Sequence, residues 1–304
     1  MKEGSRRAIV AAFVANLGIA AAKFVGFAFT GAASMLAEGI HSLADTGNQA
    51  LLFLGGVRAS KAPDKEHPFG HGQERYFWGF VVAMMLFALG GLSAIYEGVE
   101  KLRAPHPLES TGWAFGILGV AVLLEAMSFR TAIKEAQRLR GSNSWWQFIH
   151  ESKSPELPVV LLEDTGALVG LVFALIGVGL AHFTGNPRFD ALGSIAIGCL
   201  LGTIAVILAV EMKSLLIGEA AAPGDIERVR AAIADAPQVR RVIHMRTMHL
   251  GPEELLVAAK VEFDPALTIP ELGRAIDAVE AQVRAAVPIA TRIYIEPDVF
   301  REGA

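Results

Sequence analysis

The sequence predicts an α-helical membrane protein, six transmembrane helices followed by a small α+β domain, and three observations carry that prediction. The chain of 304 residues is 53% hydrophobic and only 19% charged, against about 25% charged in an ordinary soluble domain, and its mean hydropathy is +0.43. Six apolar runs, near residues 8–30, 34–57, 77–100, 111–130, 158–183 and 189–212, are each long enough to supply the ~20 residues that cross a hydrocarbon core of ~30 Å. Beyond Lys213 charges become frequent, Pro and Gly punctuate the chain, and no run is long enough to span. The expected division is residues 1–213 in the membrane and 217–304 as a separate domain.

The first run follows Lys2, Arg6 and Arg7 as a signal peptide's would. It is too long for such a peptide and lacks a small-residue cleavage pattern, so it is expected to stay as a span. Asn16 and Lys23 lie within it, and Lys23 either snorkels or pairs with an acid. Basic residues then set orientation. The N-terminus, the second-to-third connection (Arg58, Lys61, Lys65, Arg75) and the fourth-to-fifth (Arg130, Lys134, Arg138, Arg140, Lys153) are rich in them, while the opposite loops hold only Lys101, Arg103 and Arg188. Both termini are therefore expected on the cytoplasmic side, and the short connections suggest a prokaryotic inner membrane. A formal charge of −4 without a basic stripe argues against a nucleic-acid partner. Cys199, the only cysteine, excludes a disulfide framework and a cysteine-rich metal site.

The second run, "LAEGIHSLADTGNQALLFLGG", carries Glu38, His41 and Asp45 in hydrocarbon surroundings. At 100° per residue these fall within a sector of roughly 60°. A His and a carboxylate at i, i+4 offer half of a tetrahedral site for Zn2+ or a similar ion. Each such group costs about 2.5–3.5 kcal/mol at membrane depth, so something must compensate it. The fifth run opens "PVVLLEDTGALVGL" and places Glu163 and Asp164 in a second apolar setting. Simple structural polarity would explain one of these stripes; two of them favour a metal or proton site. Gly166 and Gly170, at small-xxx-small spacing, suggest a close seam between spans two and five.

The loop "APDKEHPFGHGQERYFWGF" sets Asp64, His67 and His71 at spacings of three and four, with Pro68 and Gly70 forbidding a plain helix. Such a turn can converge two imidazoles and a carboxylate on one cation, or simply face water. Arg75, Tyr76 and Trp78 read as an interfacial belt. Residues 138–158 read as a polar loop, with Trp145, Trp146 and Phe148 at the membrane interface and His150 and Glu151 in solvent.

In the tail, "DIERVRAAIADA" reads as a helix, "VRRVIHMRTMHL" and "ELLVAAKVEF" as strands around a turn, "IPELGRAIDAVEAQVRAAV" as a helix and "ATRIYIEP" as a last strand. The order is α-β-β-α-β. His244 and His249, an odd spacing apart, point to opposite faces of a strand and should not chelate together.

The segments "SMLAEGIHSLADTGNQ" and "HPFGHGQERY" resemble the signature stretches of the cation diffusion facilitator family. "ANLGIAAAKFVGFAFTGAASML" and "FDALGSIAIGCLLG" resemble its first and sixth spans, and "VVLLEDTGALVGL" the branch that includes zinc transporter nine. The resemblance implies a divalent-cation transporter and not an enzyme, exporting Zn2+ by alternating access against protons. Its partners would be divalent cations, protons, membrane lipid and a second copy of the chain; Zn2+ would be substrate and structural or regulatory ion, with no organic cofactor. The alternatives are an Mn2+, Fe2+ or Co2+ exporter, or a membrane metal sensor that does not transport. It implies a transport site of His41, Asp45 and Asp164. Val160 stands where many relatives carry a ligand, leaving Glu163, Glu38 or water to complete the shell. The loop site would be Asp64, His67 and His71. The tail would be a dimerising, metallochaperone-like domain in which Asp298 is the clearest surviving position of a metal site, its neighbours falling on Ile243, Lys260 and Glu296.

Overall fold

The computed structural model describes residues 13–301 apart from 15, 23, 26, 27, 29–32, 106–110, 142 and 143; the side chains of 33–41, 111–114, 117 and 139 also lie outside the described residues. The chain divides into two compact units, Met1–Val57 with Arg75–Lys213, and Arg58–Glu74 with Ser214–Ala304.

The first unit is helical. Its helices are α1 (Ala33–Ala59), α2 (Glu74–Arg103), α3 (Thr111–Arg140), the short α4 (Trp145–Glu151), α5 (Glu156–Thr184) and α6 (Arg188–Ile217). Among the described residues, α2, α5 and α6 are long and apolar enough to cross a membrane. Helices α1 and α3, of 27 and 30 residues, cover the expected second and fourth spans, while the first span falls partly outside the described residues. Leu89, Leu123, Met127, Ile176 and Val210 point outward, a surface suited to lipid.

Inside, Leu52, Val82, Leu86, Leu157, Val160, Leu161, Ile204 and Leu208 form one apolar core. Helix α2 widens into a π turn at Leu86–Leu92. There it meets α6 so closely that a Cβ at Gly198 would stand 2.7 Å from the Gly91 carbonyl oxygen, an approach only glycine permits. Gly166 and Gly170 also admit a neighbour, but it is α6: Cβ atoms there would meet Ile204 and Leu201, and Ile197, at 2.8, 3.0 and 3.6 Å. The small residues of α5 thus pack against the sixth span, while its contact with the second is made by Glu163 through Asn48.

Arg75 and Tyr76 depart from the interfacial belt as well. Tyr76 is fully buried, and Arg75, 4% exposed, grips Glu156 of α5 in a two-pronged ion pair, Nε to Oε1 and Nη2 to Oε2 at 2.8 Å. The fourth-to-fifth connection is not a plain loop. Ser144 and Gln147 cap α4 reciprocally, Phe148 is buried, Trp145 half-buried and Trp146 exposed. His150 pairs with Glu211 of α6 at 2.8 Å instead of standing free in solvent.

The second unit holds the tail as α7 (Pro223–Ala234), β1 (Val239–Gly251), β2 (Glu254–Phe263), α8 (Ile269–Ala286) and β3 (Ala290–Pro297), in the order the sequence predicts. The sheet runs β1-β2-β3, antiparallel then parallel. Strand β2 alternates strictly between buried and half-buried residues, so one face packs Leu255, Val257, Ala259 and Val261 against Val229, Ile233, Val279 and Val283 of the helices. His244 is exposed and His249 buried, as alternation requires.

Candidate metal centres

The intramembrane centre begins with periodicity. Asp45 and Asn48 lie three residues apart on α1 and therefore share a face; on α5 the adjacent Glu163 and Asp164 turn toward the same region. Asp45, Asn48, Glu163 and Asp164 are all buried, from 4% to 9% exposed. Asn48 Nδ2 donates to Glu163 Oε1 at 2.8 Å, linking the helices directly. Helix α3 adds a third side: Ser128 Oγ donates to Asp164 Oδ2 at 3.1 Å, and Glu125, one turn earlier, lies close enough to act on Asp164 through its charge. Asp45 faces both Glu163 and Asp164 in the same way. Asn16 of the first run extends the polar layer by donating to Gln49 Oε1 at 3.2 Å.

Of the expected transport-site residues, the structure brings together Asp45, Glu163 and Asp164; Glu38 and His41 lie on α1 with side chains outside the described residues, as does Lys23. Val160, 2% exposed, is an apolar core residue and offers no ligand. Among the described residues only the loop triad gathers three donors within 4.8 Å, so the intramembrane carboxylates stand wider than a closed coordination shell. Sequence reasoning missed Asn48, Ser128 and Glu125. Glu125, a lone acid in an apolar run, met the criterion that singled out Glu163 and could have been found.

The loop centre is built by one side chain. Asp64 Oδ1 accepts the backbone N–H of Glu66 and of His67 at 2.9 and 2.7 Å, which folds the chain back on itself. His71 Nε2 then lies 3.1 Å from Asp64 Oδ2, and His67 Nδ1 lies 3.5 Å from Asp64 Oδ1. The two imidazole rings are 4.4 Å apart, and Gly70, at φ +92°, makes the turn between them. The His67 backbone N–H, with help from His71, holds the Asp64 carboxyl below its usual range, so it stays an ionised ligand. Behind the triad, Gly72 touches the β1–β2 turn: its Cβ would stand 2.6 Å from the Leu250 carbonyl oxygen.

In the tail, Asp298 is committed elsewhere. Lys260 Nζ lies 3.1 Å from Glu296 and 3.2 Å from Asp298, and Asp298 Oδ1 accepts the Val299 N–H. An ammonium thus sits between the two carboxylates.

Comparison with known proteins covers nearly the whole chain. The family model described as "Cation efflux transmembrane domain" matches residues 9–217, and "Cation efflux protein, cytoplasmic domain" matches residues 222–298. The human protein named "Proton-coupled zinc antiporter SLC30A9, mitochondrial" is 35% identical over 80% of this chain and 43% of its own length. The chain therefore spans less than half of that relative. The "Manganese efflux system protein MneP" of Bacillus subtilis is 29% identical over 87% of this chain and 86% of its own. A solved structure of MamM-CTD is 22% identical, with a TM-score of 0.24, covering 25% of this chain and 96% of that one.

Proposed function

Because this chain belongs to the cation efflux (cation diffusion facilitator) family, on its zinc transporter nine-like branch, we propose that it carries divalent cations, Zn2+ foremost, across its membrane by alternating access in exchange for protons. One observation carries this reading: Asp45, Glu163 and Asp164 converge from two helices in an apolar interior, where a cation or protons would neutralise them. Six spans would surround that cluster, with both termini cytoplasmic. His41 joins it from α1 as the nitrogen ligand. Metal needs ionised carboxylates and a neutral imidazole, so metal and protons compete for the same atoms. A proton gradient then reloads the empty site and drives the return. The loop triad Asp64, His67 and His71 binds a second ion, and the tail pairs two protomers into a homodimer.

A second reading, an Mn2+ exporter, is favoured by Val160. Without a nitrogen ligand from α5 the site is rich in oxygen, which suits harder ions. The test is uptake of Zn2+ and Mn2+ into liposomes holding the purified protein, with and without a pH gradient. Asp45→Ala and Asp164→Ala should each abolish uptake while the protein stays inserted and monodisperse; full uptake in both would refute the site. Binding without flux in the parent would leave a sensor.

A further inference from the structure

Two oxygens of the intramembrane cluster are left unsatisfied by the described residues. Asn48 is 4% exposed and Glu163 6%. They share one hydrogen bond, Asn48 Nδ2 to Glu163 Oε1 at 2.8 Å, yet Asn48 Oδ1 and Glu163 Oε2 are both buried without a hydrogen-bond partner among the described residues. Leaving a buried acceptor unmade is costly, and here two occur on facing residues. Against an ionised Glu163 the amide presents its N–H, since the flipped form would set oxygen against the carboxylate. What remains is therefore an acceptor lone pair on each side of one bond, which a cation, or a proton shared with Asp45, satisfies. The amide sits on the same face of α1 as Asp45, one turn further on. Opposite it, Val160 provides no donor.

We infer that Asn48 is a substrate ligand of the transport site. Its amide oxygen, with Glu163, supplies the coordination that Val160 withholds, and it narrows the preference for Zn2+ over harder ions such as Mn2+ that accept oxygen-rich shells. This rests on the transport-site reading above, but a ligand can be tested without flux. The full chain carrying His67→Ala and His71→Ala, which disable the loop triad, is titrated in detergent with MnCl2 and with ZnCl2 before and after substitution at Asn48.

Asn48→Leu should weaken Mn2+ binding by about 10–100-fold, the loss typical when a group supporting a metal site is removed, and Zn2+ binding by less. Asn48→Ala serves as a second, unclashing variant if the leucine protein aggregates. Asn48→Asp keeps the oxygen and loses the N–H, so it should bind Mn2+ at least as tightly as the parent. Unchanged affinity for both ions in the leucine and alanine variants overturns the inference. So does equal loss in the aspartate variant, which would make the amide a support for Glu163 only. A parent that binds neither ion also overturns it. If the parent binds in micelles and Asn48→Leu loses binding, while the parent moves neither ion in liposomes, the ligand assignment stands and the transport reading fails.

Discussion

Arg75 and Glu156 give a prediction whose size can be worked from geometry. Their side chains are 4% and 2% exposed, and the guanidinium meets the carboxylate at both oxygens. Removing one partner strands a charge in a dry interior, at a cost of about 3–5 kcal/mol. Removing both leaves neither charge facing an empty place in the pair, and a well-packed apolar pair there is often neutral. Arg75→Leu and Glu156→Leu should therefore each destabilise strongly, and the double variant should recover most of the loss. At about 2–4 °C per kcal/mol for a body of this size, each single change lowers the midpoint by about 6–20 °C. The assay is heating of purified protein in detergent, read as loss of the monodisperse species by size exclusion. If the double variant is as unstable as the two single losses added together, charge compensation is not what holds α2 to α5, and the reasoning fails.

Gly72→Ala should release residues 58–74 from the end of β1, because the new methyl would meet the Leu250 and Gly251 backbone. Hydrogen exchange in that loop should rise and its metal binding weaken, and unchanged exchange would show that the turn can yield. In protein carrying Asp45→Ala and Asp164→Ala, His67→Ala and His71→Ala should each weaken loop-site metal binding, because the triad then keeps two donors of three; Asp64, held low by the His67 N–H, stays an ionised ligand. Unchanged binding in both would remove the histidines from the site. For Lys260 and Asp298 the signs differ. The bond to Glu296, then that to Asp298, raises Lys260, whose contribution is lost only as pH climbs through that raised value. The Val299 N–H and Lys260 lower Asp298, whose contribution is lost only as pH falls through its lowered value. Exchange protection of residues 239–298 should thus be level across neutral pH, and Lys260→Ser should raise the pH of acid loss; an unmoved acid limb would mean the pair contributes nothing.

Periodicity made the helices and strands legible, from α5 and α6 to the strict alternation of β2. The polar stripe and the loop triad were legible for the same reason, since their residues are neighbours along the chain. What sequence could not reveal is which face meets which helix. Gly166 turned to α6 and not to the second span, Arg75 found Glu156 across 81 positions, and Asn48 found Glu163 across 115. Those pairings are decided by packing, where volume and shape choose among partners that one-dimensional patterns leave equal.

The segment Arg58–Glu74 lies in sequence between α1 and α2, yet it folds as a piece of the carboxy-terminal body. Modularity in this chain therefore does not follow chain order. A shortened protein ending at Lys213 would keep the three donors of the loop but lose the turn that Gly72 rests against, and a recombinant tail beginning at Ser214 would lack the loop altogether. Chimeras that exchange tails between relatives would have to exchange this internal segment as well, two cuts and not one, for the imported body to arrive whole.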